Sequence, residues 1–188
     1  MDSRVISQIN QAVDCTDDLP YKDAPSLIKE LSNPNRLISM GAREALSCIG
    51  KSAVPELVKV LSTADIELRL QIIKVLENIQ DATSIPILVE QLKNDHAGVR
   101  WAASTALIGL KRDAIPALLS ALTHDFDSLW LRQSTHHILH VFKDDGRLTE
   151  AEEKVYVALE EVEPTSSVPW AASKALIALR HTTKKPLR

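Results

Sequence analysis

The residues best suited to chemistry stand in LRQSTHHILH, where His136, His137 and His140 fall within five consecutive positions. His136 and His140, at i and i+4, share one helix face, and two imidazoles at that spacing can chelate a transition metal. A closed or catalytic site also needs a third ligand and a second shell, and the nearest further candidate is His124 at the preceding turn. The three therefore read as surface or groove-lining groups, and no metal is expected. The run KDDGRL at 143–148 has a calcium-loop flavour, with Gly146 at the turn and Glu152 six residues on. Val141 and Lys143 occupy the positions that should carry the first two carboxylates, so too few oxygen ligands remain. Cys15 and Cys48 make no metal spacing and no disulfide framework, and Cys48 reads as a small buried or half-buried thiol. Neither a Gly-rich phosphate loop nor a nucleophile elbow is present. No catalytic residue and no cofactor is expected, and the chain reads as a non-enzyme.

The elements that position these residues repeat. APSLIKEL, VPELVKVL, IPILVEQL and IPALLSAL place Pro25, Pro55, Pro86 and Pro116 at intervals of 30, 31 and 30 residues. Proline fits the first turn of a helix, where its missing N–H has no intrahelical partner and its φ is already helical. A longer amphipathic helix follows each, and a fifth recurs nearer the carboxyl end, in register on Leu46, Leu76, Leu107, Leu139 and Leu176. Neither helix of a pair can hide its apolar face alone, so each needs a neighbour of its own kind. The clearest copy is NDHAGVRWAASTALIGLKRDAIPALLSAL, from Asn94 to Leu122. About five units follow from this reading, over 22–50, 52–80, 83–110, 113–142 and 149–181. Thr149 and Glu152 make a capping box that opens the last. Ahead of them, Val5, Ile6, Ile9 and Val13 predict an amphipathic capping helix in a 1–19 segment, and 182–188 is a basic tail.

These residues resemble HEAT repeats, particularly the short bacterial variety also seen in phycobilin-lyase proteins, and the resemblance covers most of the chain. It implies an all-α fold, a right-handed α-solenoid in which the second helix of each unit lines the concave side. It also implies an Asp before that helix and an Arg near its start, bonded as a ladder. Asp65, Asp95 and Asp127 precede Arg69, Arg100 and Arg132 in the middle three units, while Ser39 and Pro169 replace the Arg in the outer ones. The His-Glu dipeptides of the di-iron deoxyhypusine hydroxylases of this repeat class are missing here.

The register assigns faces. Val99, Ala103, Ala106, Leu107 and Leu110 point to the core, which leaves Trp101, Thr105 and Ile108 on the opposite, concave side. Through the units the first column reads Met40, Leu70, Trp101, Gln133 and Trp170. The second reads Glu44, Lys74, Thr105, His137 and Lys174, and the third Ser47, Glu77, Ile108, His140 and Ile177. Apolar groups with two tryptophans, placed where solvent is expected, either pack between adjacent helices or form a recognition groove. Trp130, at a helix start, reads as a local packing plug.

Composition narrows the partner. The chain of 188 residues is 45% hydrophobic and 25% charged, with a net charge of -3. That balance disfavours nucleic acid, whose binding rests on a basic surface, and leaves a DNA-binding helical-repeat protein as a minor reading. The amino-terminal residues lack a signal-peptide core, and no stretch reaches the roughly 18 apolar residues of a membrane span. The expected protein is a cytoplasmic scaffold that binds another protein or peptide. The alternative suggested by the repeat subtype is a lyase or chaperone-like factor for a chromophore protein.

Overall fold

The computed structural model describes residues 23–182, so the capping helix expected in 1–19 and the tail beyond Thr182 lie outside the described residues. Every regular element among them is helical. Short and long helices alternate: α1 (Ala24–Glu30) and α2 (Arg36–Ile49), then α3 (Val54–Leu61) and α4 (Ile66–Ile79). The series continues with α5 (Ile85–Gln91) and α6 (Ala97–Gly109), α7 (Ile115–His124) and α8 (Leu129–Asp144), and α9 (Glu150–Glu160) and α10 (Pro164–Thr182). The chain divides into two compact units between Ser84 and Ile85.

Local chemistry sets the helix starts. Pro25, Pro55 and Pro116 lie in the first turns of α1, α3 and α7, and Pro86 is the second residue of α5. The long helices open on polar caps instead. Asn35, Asp65 and Ser128 accept the N–H groups of Leu37, Leu68 and Leu131, each worth about 1 kcal/mol. Single 3-10 turns, Gly50–Ala53, Ala82–Ser84 and Lys111–Ala114, join one pair to the next.

Packing follows the pattern of the leucines. In the first unit α2 lies along α4, and in the second α6 lies along α8. Leu46 and Leu76 in one unit, and Leu107 and Leu139 in the other, are fully buried, and Val99, Ala103, Ala106 and Leu110 join the core. Leu176, in register with them by sequence, is only half-buried.

The last pair explains that difference. α9 runs along α8, and α10 packs against α9 and against the short helix α7 rather than along α8. The cause lies in the turn at 143–148. Gly146 takes φ 66°, its N–H donates to the Lys143 carbonyl at 2.9 Å, and the Arg147 N–H donates to the Phe142 carbonyl at 2.8 Å. This is a Schellman stop, in which glycine tolerates the left-handed residue after a helix. Thr149 and Glu152 then form the expected capping box. Glu152 is fully buried, and its carboxylate accepts both Arg112 guanidinium nitrogens, at 2.8 and 3.1 Å, and the Thr149 N–H at 2.8 Å. Arg112, in the turn before α7, also donates to the Arg147 carbonyl. α10 begins at Pro164 and carries Pro169 inside it. Cys48 is disulfide-bonded, which corrects the free thiol expected for it.

Asp81 closes the first unit. Its buried carboxylate accepts the Thr83 hydroxyl and N–H, and the Lys51 ammonium lies 3.2 Å away. The Thr83 hydroxyl bond, first, then the Thr83 N–H and Lys51, hold its pKa below the ordinary aspartate value. A depressed pKa means the folded state favours the charged form. Asp81 therefore contributes its stability above about pH 4, the unfolded range, and loses it as pH falls through the folded value. Urea midpoints compared at pH 6 and at acid pH are expected to fall less in Asp81→Asn than in the parent; parallel falls would contradict this role.

Candidate partner-binding surface

α6 and α8 lie side by side, and the pair presents Trp101 and Gln133 to solvent. Trp101, on the second turn of α6, is 64% exposed. Its indole stacks on the His137 imidazole of α8, with centroids 5.0 Å apart and planes inclined by 27°. The stack exists because the two helices pack in register: Ala103 and Leu107 on α6 and Ile138 on α8 are buried, turning Trp101 and His137 outward together. Thr105, one turn on from Trp101, is half-buried and donates its hydroxyl to the Trp101 carbonyl at 3.1 Å. Ile108 is half-buried, while Gln133 and His140 are exposed.

At the amino ends of the same helices, the Arg100 guanidinium lies over the Trp130 ring, 3.9 Å from its centroid. It also donates to the Asn94 and Asp95 carbonyls at 2.8 and 2.9 Å. Arg132 donates to the Phe126 carbonyl, and Arg69 in the first unit to the Ala64 carbonyl at 2.8 Å. These arginines thus fasten backbone oxygens of the turn before their own helix, a use suited to a planar donor fork. Of the ladder aspartates, Asp65 caps α4 through the Leu68 N–H, at 2.9 Å.

The histidines sort into two environments. His137 belongs to the tryptophan stack, whereas His136 and His140 turn toward α9. There the Tyr156 ring stacks on His136, 4.8 Å between centroids, and lies 6.1 Å from His140. The Lys143 ammonium sits 4.3 Å from the Tyr156 centroid. Glu160 approaches His136 Nε2 at 3.3 Å, and Asp144 lies 3.7 Å from His140. A hydrogen bond with Glu160, and then burial, push the Tyr156 phenol above its ordinary pKa. That bond, then the one from His136, holds the Glu160 carboxyl below the usual range. A phenol kept protonated and a carboxylate kept ionised make a durable pair on α9, and their contacts with His136 tie that helix to α8. Among the described residues no group of three His, Cys, Asp or Glu side chains is placed to hold a metal ion. Sequence reasoning passed over Tyr156 because nothing in the repeat register pairs α9 with α8.

The other site residues lie elsewhere. Met40 and Leu70, half-buried, and Lys74, exposed, belong to the first unit. Trp170, Lys174 and Ile177 are exposed on α10. Trp170 and Lys174 line a cleft of about 760 Å³ with Arg112, Thr149 and Ala151, and α10 packs against α7 and α9, so they do not extend the Trp101–His137 stack along α8.

A sequence-family model described as HEAT repeats matches residues 54–137, from the start of α3 to His137 on α8. No curated protein matches the chain. Among the described residues no helix is long and apolar enough to cross a membrane.

Proposed function

The chain carries HEAT repeats, helix pairs that commonly serve as protein-interaction scaffolds, and from that premise we propose a non-enzymatic module that seats a partner polypeptide on the α6–α8 face. The exposed indole of Trp101, stacked on His137, carries this reading. A tryptophan held rigid by a neighbouring ring presents a large apolar face without losing much side-chain freedom on binding, which is why tryptophan is enriched at interface hot spots. Thr105, one turn on from Trp101, and the exposed Gln133, one turn before His137, supply polar groups able to orient a bound backbone. Repeats of this kind are generally non-catalytic, and the ionised and protonated groups near Tyr156 engage one another.

The test separates binding from folding. Trp101→Ala removes an exposed side chain, so its unfolding midpoint is expected to stay within about 0.5 kcal/mol of the parent. Recovery of the partner on immobilised protein from the source cells is expected to fall by more than tenfold, as for hot-spot residues worth roughly 2 kcal/mol. His137→Ala should produce a smaller loss. Equal recovery on parent and Trp101→Ala protein would remove this face from consideration.

A further inference from the structure

The first unit holds a cleft that the α6–α8 reading does not use. Arg36, Met40 and Arg43 on α2 recur at i, i+4 and i+7, as do Glu67, Gln71 and Lys74 on α4, and α2 lies along α4. That spacing puts each trio on one helix face. The two faces line a cleft of about 540 Å³. Three cations and one carboxylate therefore border it, in a chain whose net charge is -3.

The charges are also organised. Arg43 donates one N–H to the Gln71 side-chain oxygen at 3.3 Å, and the Gln71 amide donates to Glu67 at 3.0 Å. Gln71 thus orients the guanidinium and engages the lone carboxylate, while most of the five donors on Arg43 are left for a ligand. Among the described residues Arg36, Arg43 and Lys74 form no salt bridge. Cations gathered round one cleft repel each other, and an anion between them adds attractions that offset that repulsion.

We propose that this cleft binds a phosphate group, with Arg43 as the fork that meets its oxygens and Arg36 and Lys74 as flanking charges. A dianion matches the excess of two positive charges, and guanidinium with phosphate forms strong, charge-assisted pairs. Ser39, whose hydroxyl now donates to the Arg36 carbonyl at 3.2 Å, also borders the cleft. The phosphate comes either free, as a small ion, or on a phosphorylated side chain. This site is separate from the α6–α8 face, and neither depends on the other.

Inorganic phosphate is the first probe, titrated into the labelled full chain while nuclear magnetic resonance follows the Arg43 and Gln71 side chains. Saturable shifts are expected at constant ionic strength, without comparable shifts from chloride or acetate. Lys74→Gln should weaken the response on the order of tenfold, the loss of one charge-assisted contact, and Arg43→Gln should weaken it further. Lys74 is exposed and forms no hydrogen bond among the described residues, so that variant stays informative if Arg43→Gln disturbs the fold. A phosphoserine peptide that binds tighter than phosphate, beside an inert serine peptide, identifies a phosphorylated side chain as the source; equal binding identifies the free ion. Shifts reproduced by chloride or acetate, or saturable binding indifferent to both substitutions, overturn the proposal.

Discussion

Arg112→Ala is expected to lower stability by about 3 kcal/mol, the low end of the cost of stranding one partner of a buried ion pair. Glu152 pays that cost, since its carboxylate is fully buried and would lose both guanidinium bonds at once. Arg112 itself is 44% exposed and can rehydrate, which is why the low end applies and why Glu152→Ala should be the milder change. Urea unfolding of the two single variants and the double variant measures this directly. The double variant is expected to be more stable than the sum of the singles implies, by roughly 1–3 kcal/mol of coupling. Additive losses would mean that the pair does not clamp the turn before α7 to α9.

Phe142→Ala is expected to cost about 3–5 kcal/mol, the range for truncating a fully buried phenylalanine. Phe142 is wholly enclosed near the end of α8. Its carbonyl accepts the Arg147 N–H that closes the following turn, at 2.8 Å. The substitution leaves that backbone bond in place, so the loss reports the cavity. Phe126, 37% exposed, is the internal control, and Phe126→Ala should cost under about 1 kcal/mol. Thermal unfolding of the two proteins side by side decides the matter, and similar midpoints would contradict the placement of Phe142 in the core.

Much of the fold was legible because a repeat writes its neighbours into its own period. Leu46, Leu76, Leu107 and Leu139 recur in register and are all buried. The prolines and the Thr149–Glu152 box mark helix starts in the same way. What the period could not contain was a contact made by breaking it. Arg112 and Glu152 are 40 positions apart, brought together by a Schellman turn whose sequence had only the flavour of a calcium loop, with too few oxygen ligands. The same turn sends α9 along α8 and α10 against α7, so Trp170 and Lys174 share a sequence column with Trp101 and Thr105 but have different surroundings. Periodicity placed Trp101 on the outer face of α6. It could not tell an exposed indole from a packed one, because that depends on the neighbour's side chain, here His137.

All three tryptophans, Trp101, Trp130 and Trp170, fall after the division at Ser84. Intrinsic indole emission is therefore a signal from one half of the molecule, whereas far-ultraviolet ellipticity sums helices from both. Melting curves recorded by the two methods measure, without any label, whether the halves let go together or in turn. The emission itself is a composite, with one indole against an imidazole, one beneath a guanidinium and one near an ammonium at 5.4 Å. Cationic neighbours alter indole emission, so single Trp→Phe replacements resolve the composite into three local reporters, one of them on the face where a partner is proposed to sit.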